Sequence, residues 1–164
     1  MHIREYHSGD HLSVRQIFTN GQLDFAIGEL FESDVLSYIR KSLSLDLRDI
    51  PAHYKNHHGS NFWVTEIDGE VKGIVAIQYK DENNAELRRM SVSRDTRRLG
   101  IGKLLLNTAD KFCLKYGYSS IYLSTVSHLI PAIKMHEKNG YQLINRENHG
   151  LLTVEHYVKS LGSM

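Results

Sequence analysis

One stretch of the chain decides its fold: Arg97-Arg98-Leu99-Gly100-Ile101-Gly102-Lys103, which stands between a β-rich segment and a long amphipathic helix pattern. Glycines at a turn from a strand into a helix let the backbone come close to a ligand. The helix that follows begins with unpaired N–H groups and the positive end of its dipole, which attract phosphate. Residues 88–103 also carry six basic side chains against one acidic one. The stretch therefore predicts a pyrophosphate site, with a glycine turn beside a solvated basic surface as the alternative.

Two common phosphate-binding loops do not match this stretch. The chain has no G-x-x-x-x-G-K-[ST] sequence, so it is not a P-loop. Leu105 stands where the third glycine of a dinucleotide-binding G-x-G-x-x-G would be, so that fingerprint is excluded as well. The nucleotide that this turn binds is therefore expected to be of another kind.

The segments around the turn predict a mixed order of strands and helices. Asp68-Gly69 joins two β-rich runs and is a strong hairpin signal. Apolar side chains recur at helical spacing on both sides of the central strands. The predicted strands cover residues 3–5, 61–67, 70–79, 85–92, 120–124, 141–145 and 151–158. The predicted helices cover residues 10–18, 30–45, 98–116 and 131–138, with a short helix at 47–58 broken by Pro51.

Composition and charge exclude several classes of protein. Hydrophobic residues make up 41% and charged residues 24% of the 164 residues, which is ordinary for a globular protein. The net charge of +1 provides no overall field for binding nucleic acid or an anionic membrane. Cys113 is the one cysteine, so an intramolecular disulfide and a multi-cysteine metal site are excluded.

Location and metal content follow from similar arguments. No apolar run approaches the ~18 residues that span a bilayer, and the first residues lack the apolar region of a signal peptide. We therefore expect a cytoplasmic protein that has no membrane contact. His53 and His57 have the i, i+4 spacing of metal ligands but no matching carboxylate, so we expect solvent-facing histidines and no metal.

Two motifs resemble the signatures of a known superfamily. Arg97-x-x-Gly100-x-Gly102, after a strand that ends at Val92, resembles the [RQ]-x-x-G-x-[GA] signature of the GNAT superfamily of acyl-CoA N-acyltransferases. Residues 132–141, Ala-Ile-Lys-Met-His-Glu-Lys-Asn-Gly-Tyr, are similar to its second signature, and the element order matches along nearly the whole chain. The resemblance implies one N-acetyltransferase domain over residues 1–164.

The expected fold is a mixed α/β (α+β) domain. Its central sheet has six to seven strands, is mostly antiparallel, and is flanked by helices. The fourth and fifth strands, residues 85–92 and 120–124, are expected to run parallel and to splay apart. The helices at 98–116 and 131–138 are expected on opposite faces of the sheet.

A narrower resemblance concerns the acceptor. Residues 46–50, Asp-Leu-Arg-Asp-Ile, with residues 59–64 and 73–76, look like the group that acetylates cysteine conjugates and aspartate. Those relatives carry a hydrophobic membrane hairpin after the first helix. This chain has polar, helical sequence between Phe25 and Leu47 instead, so the membrane segment is not carried over.

The superfamily resemblance implies acetyl-CoA as co-substrate and gives roles to a continuous set of residues. The backbone N–H of Val92 would hold the acetyl carbonyl. Met90 and Val92, on either side of Ser91, would pair with the pantetheine arm. The amides of residues 98–103, next to Arg97, would bind the pyrophosphate.

Acetyl transfer also needs a proton acceptor, because an alkylamine has a pKa near ~10 and attacks only when neutral. Glu86, on the same strand, is the predicted base; a solvated carboxylate or an ion pair with Arg88 is the alternative. His136 occupies the superfamily's tyrosine position and is the predicted acid toward the leaving thiolate. The alternative is that this acid role is vacant or filled by water.

The predicted function is transfer of acetyl from acetyl-CoA to a primary amine of a small molecule. An amino acid or conjugate is favoured, with Arg88 and Arg89 as partners for its carboxylate. Acidic residues between 29 and 49 favour the alternative of a polyamine or protein-lysine acceptor. Leu129 and His136 depart from the superfamily pattern, so a non-catalytic acyl-CoA-binding module is the rival class. A homodimer is possible.

Overall fold

A seven-stranded sheet runs through residues 1–162, the part of the chain that the computed structural model describes. Its strands are β1 (His2–Glu5), β2 (Asn61–Ile67), β3 (Glu70–Tyr79), β4 (Asn84–Val92), β5 (Ser120–Val126), β6 (Gln142–His149) and β7 (Leu152–Ser160). They lie in the order β1-β2-β3-β4-β5-β7-β6, with β4 and β5 parallel and the other neighbours antiparallel. The predicted fold class is confirmed. The last residues of the predicted domain, Ser163 and Met164, lie outside the described residues.

Four helices flank the sheet in the described chain: α1 (His11–Ala26), α2 (Glu32–Ser44), α3 (Ile101–Tyr116) and α4 (Ile130–Lys138). In the segment predicted as a short helix at 47–58, the structure has a short π-helical turn, Pro51–Lys55, which begins at the proline. Helix α1 ends at Ala26, well beyond the predicted end at residue 18, and it includes Gly21. A Cβ at that position would meet the Ser91 side chain of β4, so the glycine lets the helix pack closely on the strand. Packing has overridden the low helix propensity of glycine.

The hairpin between β2 and β3 forms as the sequence predicts. Asp68 and Gly69 have φ angles of +50° and +80°, the left-handed values that a two-residue hairpin turn requires. The turn sets the register that pairs Ile67 with Glu70. This register directs alternate side chains of the strands into two apolar clusters, one on each face of the sheet.

The two faces carry different helices. On one face, α1, α2 and the π-helical turn cover β2 and β3, with Phe18 and Tyr54 in the buried cluster. On the other face, α3 covers the sheet through side chains such as Leu105. Ile133 and Met135 of α4 pack against that second cluster, so α3 and α4 lie on the same face.

The prediction that these two helices lie on opposite faces is therefore wrong. Both helices connect strands that run in the same direction, β4 to β5 and β5 to β6. Both connections also move the same way across the sheet, because β6 lies beyond β7. Right-handed crossovers that advance in one direction place their helices on one face.

Candidate active site

The cleft of the molecule opens where β4 and β5 separate. The two strands pair only from Asn84 with Ser120 to Glu86 with Tyr122. Beyond Glu86 the strands diverge, and their facing backbone groups no longer bond to each other. The gap between the strands forms a cleft of about 510 Å³. The predicted splay between the fourth and fifth strands is thus confirmed.

Two walls border this cleft. The β4 wall consists of residues 86–90 of β4. The β5 wall consists of residues 123–126 of β5, together with His136 of α4 and His149, Leu152 and Val154 of the β6–β7 hairpin. Side chains from α1 and α2, among them Phe18 and Tyr38, close one end.

The β4 wall contains a β-bulge. The register with β3 shifts between Ile74, which pairs with Ser91, and Ala76, which pairs with Arg88. Within the bulge Arg89 has a φ of +56°, which is uncommon for a residue with a side chain. Such a conformation persists only where the surroundings hold it in place.

The Arg89 side chain provides that hold. Its guanidinium donates two parallel hydrogen bonds to the Asp46 carboxylate, at 2.9 and 2.7 Å, and further bonds to Tyr38 and Ser42. Tyr54 donates to the same carboxylate at 2.6 Å. Burial alone would raise the pKa of Asp46, but the hydrogen bonds and charge of Arg89 outweigh it and hold that pKa below its ordinary value.

The predicted role of Arg89 in binding a substrate carboxylate therefore needs correction. Its charge is buried and already paired with Asp46. Arg88 lies on the same face of the sheet, opposite Ala76, but its side chain is less buried. Its side chain donates to Gln78 at 3.0 Å and its Nε lies 3.9 Å from Glu86 Oε1, with part of the guanidinium exposed to the cleft. Arg88 and Glu86 stay together in the cleft, as the sequence indicated.

The turn before α3 has left-handed backbone geometry. Gly100 has a φ of +84°, and Arg98 reaches +68°. In the described chain no side chain caps the N-terminus of α3, so its first N–H groups face outward. Arg98 and Lys103 are exposed beside them. This end of α3 fits a pyrophosphate through its amides and its charge.

Two residues of the motif have other duties. Arg97 pairs with Asp24 of α1 at 2.7 Å and reaches the Val92 carbonyl at 3.3 Å, so it ties the turn to α1. Gly102 is needed for a close packing contact, since a Cβ there would lie 2.5 Å from the sulfur of Met135. The first glycine makes the turn and the second admits α4.

His136 is buried at the cleft, with 6% of its surface exposed. Its ring meets Tyr141 edge-on, at 5.7 Å between centroids. Its Nδ1 atom has no hydrogen-bond partner among residues 1–162. Burial lowers the pKa of His136 to about 4, so the imidazole is neutral at pH 7.

The remaining predicted site residues follow the cleft toward α3. Met90 lines the cleft beside Leu87, whereas the Ser91 side chain turns to α1 and contacts the Ile17 carbonyl at 3.4 Å. Val92 pairs with Gly73 of β3 at the far end of the strand. One backbone line thus leads from the cleft through Met90 and Val92 to the α3 turn.

Sequence reasoning missed a polar group on the β5 wall. Ser124 lies on β5 at the cleft, and its hydroxyl is 2.7 Å from His156 of β7. Glu147 and His149 of β6 extend this group. These residues are far apart along the chain. The alternation within each strand predicts the face of the sheet on which a side chain lies, but it does not predict which side chains of other strands it contacts.

Two further features describe the surroundings of the site. Among residues 1–162, no helix is both long and apolar enough to cross a bilayer. Within the same residues, no three His, Cys, Asp or Glu side chains gather as a metal site would require.

Solved structures share this fold along almost the whole chain. An acetyltransferase of the GNAT family from Staphylococcus aureus Mu50 superimposes with a TM-score of 0.81 and 24% identity, covering 98% of this chain and 99% of that one. PaiA N-acetyltransferase from Thermoplasma acidophilum, solved in complex with coenzyme A, gives a TM-score of 0.79 and 21% identity, covering 97% and 98%. At these identities the likeness concerns the fold.

Curated sequences are more similar over part of the chain. N-acetylaspartate synthetase of Danio rerio is 40% identical over 67% of this chain and 39% of its own length. The synthetase of Rattus norvegicus is 35% identical over 72% of this chain and 40% of its own length. N-acetyltransferase family 8 member 3 of Rattus norvegicus is 36% identical over 64% and 48%. The chain thus matches less than half the length of these relatives.

The match to a family model covers the elements that build the cleft. The model of the acetyltransferase (GNAT) family matches residues 27–141, from the end of α1 to the residue before β6. This region includes the splayed β4 and β5, the turn before α3, and α4. With the shared fold and the two sequence motifs, it shows that the chain belongs to the acetyltransferase (GNAT) family.

Proposed function

We propose that the protein is an N-acetyltransferase that transfers acetyl from acetyl-CoA to a primary amine of a small molecule. The observation that carries this proposal is the splay of β4 from β5, which leads to the uncapped N-terminus of α3. Two unpaired strand edges offer hydrogen bonds to an extended arm that contains amides. The helix end offers a phosphate site. One ligand that combines these two features is coenzyme A.

Acetyl-CoA supplies an acetyl group activated as a thioester. Its pyrophosphate would bind the amides of residues 98–103, with Arg98 and Lys103 adding positive charge. The backbones of Met90 and Val92 would hold the pantetheine arm, as the family resemblance implies. The acetyl carbonyl, assigned to the N–H of Val92 by that resemblance, fits better near Met90, since Met90 borders the cleft.

His136 would assist the leaving sulfur by a hydrogen bond. Because its imidazole is neutral at pH 7, it stabilises a thiolate as an N–H donor rather than by transferring a proton. Its Nδ1 has no hydrogen-bond partner in the described part of the chain, and it is a buried polar atom in the cleft that a ligand can satisfy. Two groups face the acceptor side as candidates for the base: Glu86, and the polar chain that begins at Ser124.

The acceptor is proposed to be an amino acid or an amino-acid conjugate. The curated relatives include proteins named N-acetylaspartate synthetase. Arg88 supports a carboxylated acceptor, because part of its guanidinium faces the cleft and a fork of two N–H donors suits a carboxylate. Asp34 also borders the cleft and favours a polyamine or protein-lysine acceptor as the alternative.

The proposed unit is the single domain of residues 1–164, placed in the cytoplasm and without nucleic acid or membrane partners. The near-zero net charge supports the absence of those partners. The buried Cys113, which is the one cysteine of the sequence, suits a reducing compartment.

A turnover screen tests the activity. Release of free thiol from acetyl-CoA is measured with free amino acids, cysteine conjugates, polyamines and lysine peptides. We expect carboxylated small amines to react fastest. Arg88→Ala should raise KM for these amines about 10-fold or more and leave amines without a carboxylate unaffected, because a charged hydrogen bond is lost. Binding of coenzyme A without turnover of any amine would instead support the non-catalytic module.

A pair of glycine variants tests the cofactor site by calorimetry. Gly100→Glu places a negative side chain at the α3 turn and should weaken coenzyme A binding at least about 10-fold. Gly69→Glu is the matched control, since Gly69 has a similar φ of +80° and equally open surroundings in a distant turn. An equal loss of affinity in both variants, or in neither, would contradict the assignment.

A further inference from the structure

A chain of polar side chains extends from the cleft across the outer face of β5, β7 and β6. Ser124 and His156 are partners in the strand register, so their side chains share this face. Ser124 Oγ lies 2.7 Å from His156 Nδ1. Glu147 Oε1 lies 3.0 Å from His156 Nε2, and its Oε2 lies 3.1 Å from His149 Nε2. Ser124 and His149 both border the cleft.

The order of these contacts determines where protons reside. If the Ser124 hydroxyl donates to Nδ1, the neutral His156 ring carries its own hydrogen on Nε2. That atom is shielded from solvent and makes no well-oriented hydrogen bond within residues 1–162, although Glu147 is close. A second proton, received at Nδ1, would make an imidazolium beside a carboxylate. An imidazole that lies between a hydroxyl and a carboxylate in this way can act as a base.

The charged groups around His156 agree with this role. Glu147 and His149 face it from β6. Glu86 and Arg88 lie on the opposite wall of the cleft, where they approach each other to 3.9 Å. Glu155, the neighbour of His156 on β7, is bound by Arg146 at 2.7 Å on the other side of the strand. The carboxylate nearest to the ring is therefore Glu147.

We infer that His156 receives the proton of the acceptor ammonium through the Ser124 hydroxyl, an inference that rests on the proposed function. Ser124 Oγ accepts a proton from the ammonium nitrogen while its own proton passes to His156 Nδ1. The neutral amine then forms the C–N bond as the C–S bond of the thioester breaks. The second proton of the nitrogen ends on the coenzyme A sulfur, and His156 returns its proton to solvent. An imidazole is well matched to this exchange near neutral pH.

The pH dependence of kcat/KM tests the inference against Glu86 as the base. In the native enzyme we expect a pH limb that depends on His156. His156→Gln should lower kcat/KM at pH 7 about 100-fold and abolish that limb, so that the rate rises with pH toward the amine's own pKa near ~10. Ser124→Ala should lower the rate and shift the limb. Glu86→Gln should keep the limb, and His57→Gln, at the distant edge beside Tyr79, should stay within twofold.

A second readout does not depend on turnover. Nitrogen-15 NMR of labelled histidine should show His156 as the tautomer with hydrogen on Nε2, and Ser124→Ala should shift its Nδ1 resonance. Calorimetry should give coenzyme A affinities within twofold for the native protein, His156→Gln and Ser124→Ala, because these variants change side chains and leave the strand backbones and the α3 turn unchanged.

The outcomes separate the two proposals. An active native enzyme whose pH limb survives in His156→Gln but disappears in Glu86→Gln overturns the relay and makes Glu86 the base. The opposite tautomer, with hydrogen on Nδ1, also overturns it. A native protein that binds coenzyme A but acetylates no amine overturns the proposed function itself.

Discussion

The two walls of the cleft hold their polar groups in opposite ways. On the β4 wall a full charge, Arg89, is buried and paired with Asp46. On the β5 wall the buried His136 stays neutral and its Nδ1 has no hydrogen-bond partner among residues 1–162, while the charged groups lie near the surface. On the β4 wall, buried hydrogen bonds hold the Arg89 charge in place. The β5 wall leaves its polar atoms open to a ligand, so stability and chemistry are divided between them.

The largest effect is expected from breaking the lock on the β4 wall. Asp46→Ala leaves the Arg89 guanidinium buried without its carboxylate and should lower the free energy of unfolding by about 3–5 kcal/mol. Denaturant unfolding measures the loss. Asp24→Ala is the matched control, because it breaks another arginine–carboxylate contact of 2.7 Å that is far more exposed. It should cost less than about 1 kcal/mol.

If Asp46→Ala does not fold, the double variant Asp46→Leu with Arg89→Met still tests whether the buried Arg89–Asp46 pair determines stability. It removes both charges, so it should be more stable than either single replacement, which strands one of them. Equal losses from Asp46→Ala and Asp24→Ala would show that burial of the pair on the β4 wall has no energetic weight.

At low pH, the buried His136 of the β5 wall should lower the stability of the folded protein. Because the folded pKa of His136 is lowered to about 4 by burial, the unfolded chain binds a proton more readily than the folded one below the ordinary value near 6.5. The contribution of the neutral histidine to stability is therefore present in full above about pH 6.5 and is lost as the pH falls toward 4. Between pH 7 and pH 5 this loss amounts to roughly 2 kcal/mol.

His136→Leu removes this titration. Its unfolding free energy should therefore fall by roughly 2 kcal/mol less than that of the native protein between pH 7 and pH 5, as measured by denaturant unfolding at both values. Tyr141→Phe is the control, because it removes another buried polar atom of the same contact without altering the imidazole. The native pH dependence in His136→Leu would contradict a buried, neutral histidine.

The features that the sequence predicted are those that depend on residues close together in the chain. The Asp68-Gly69 turn, the start of α3 after Gly100, and the alternation in the central strands each depend on a few consecutive side chains. They gave the element order, and the superfamily resemblance added the splay. The cofactor path along β4 is also continuous in sequence, so its residues could be named together.

The features that the sequence did not predict depend on distant partners. The contact that locks Arg89 joins residues separated by 43 positions, and Ser124 meets His156 across 32. Arg88 and Arg89 look equivalent in the sequence and both line the cleft, yet Arg89 is buried in a pair with Asp46 and Arg88 stays partly exposed. The common face of α3 and α4 follows from β6 lying outside β7, which no local pattern contains.

The smallest effect is expected at the edge of the β6–β7 hairpin. Ile144 is the extra residue of a bulge in β6, between Leu143, which pairs with Tyr157, and Asn145, which pairs with His156. It is 53% exposed, and every residue of β6 is exposed in the single chain. A bulge on an edge strand twists it away from pairing with another chain. Ile144→Thr should therefore change the unfolding free energy by no more than about 0.5 kcal/mol.

This substitution also contrasts the two bulges, since the one at Arg89 is locked by buried bonds and the one at Ile144 is open to water. Unfolding of Ile144→Thr at several protein concentrations, with sedimentation of the native chain, makes the comparison. We expect the same small effect at each concentration. A loss above about 1 kcal/mol that grows with protein concentration would mean that a second copy of the chain covers β6, because only an associated state gains stability by mass action. The bulge at Ile144 would then be buried, as the bulge at Arg89 is, and the contrast between the two bulges would fail.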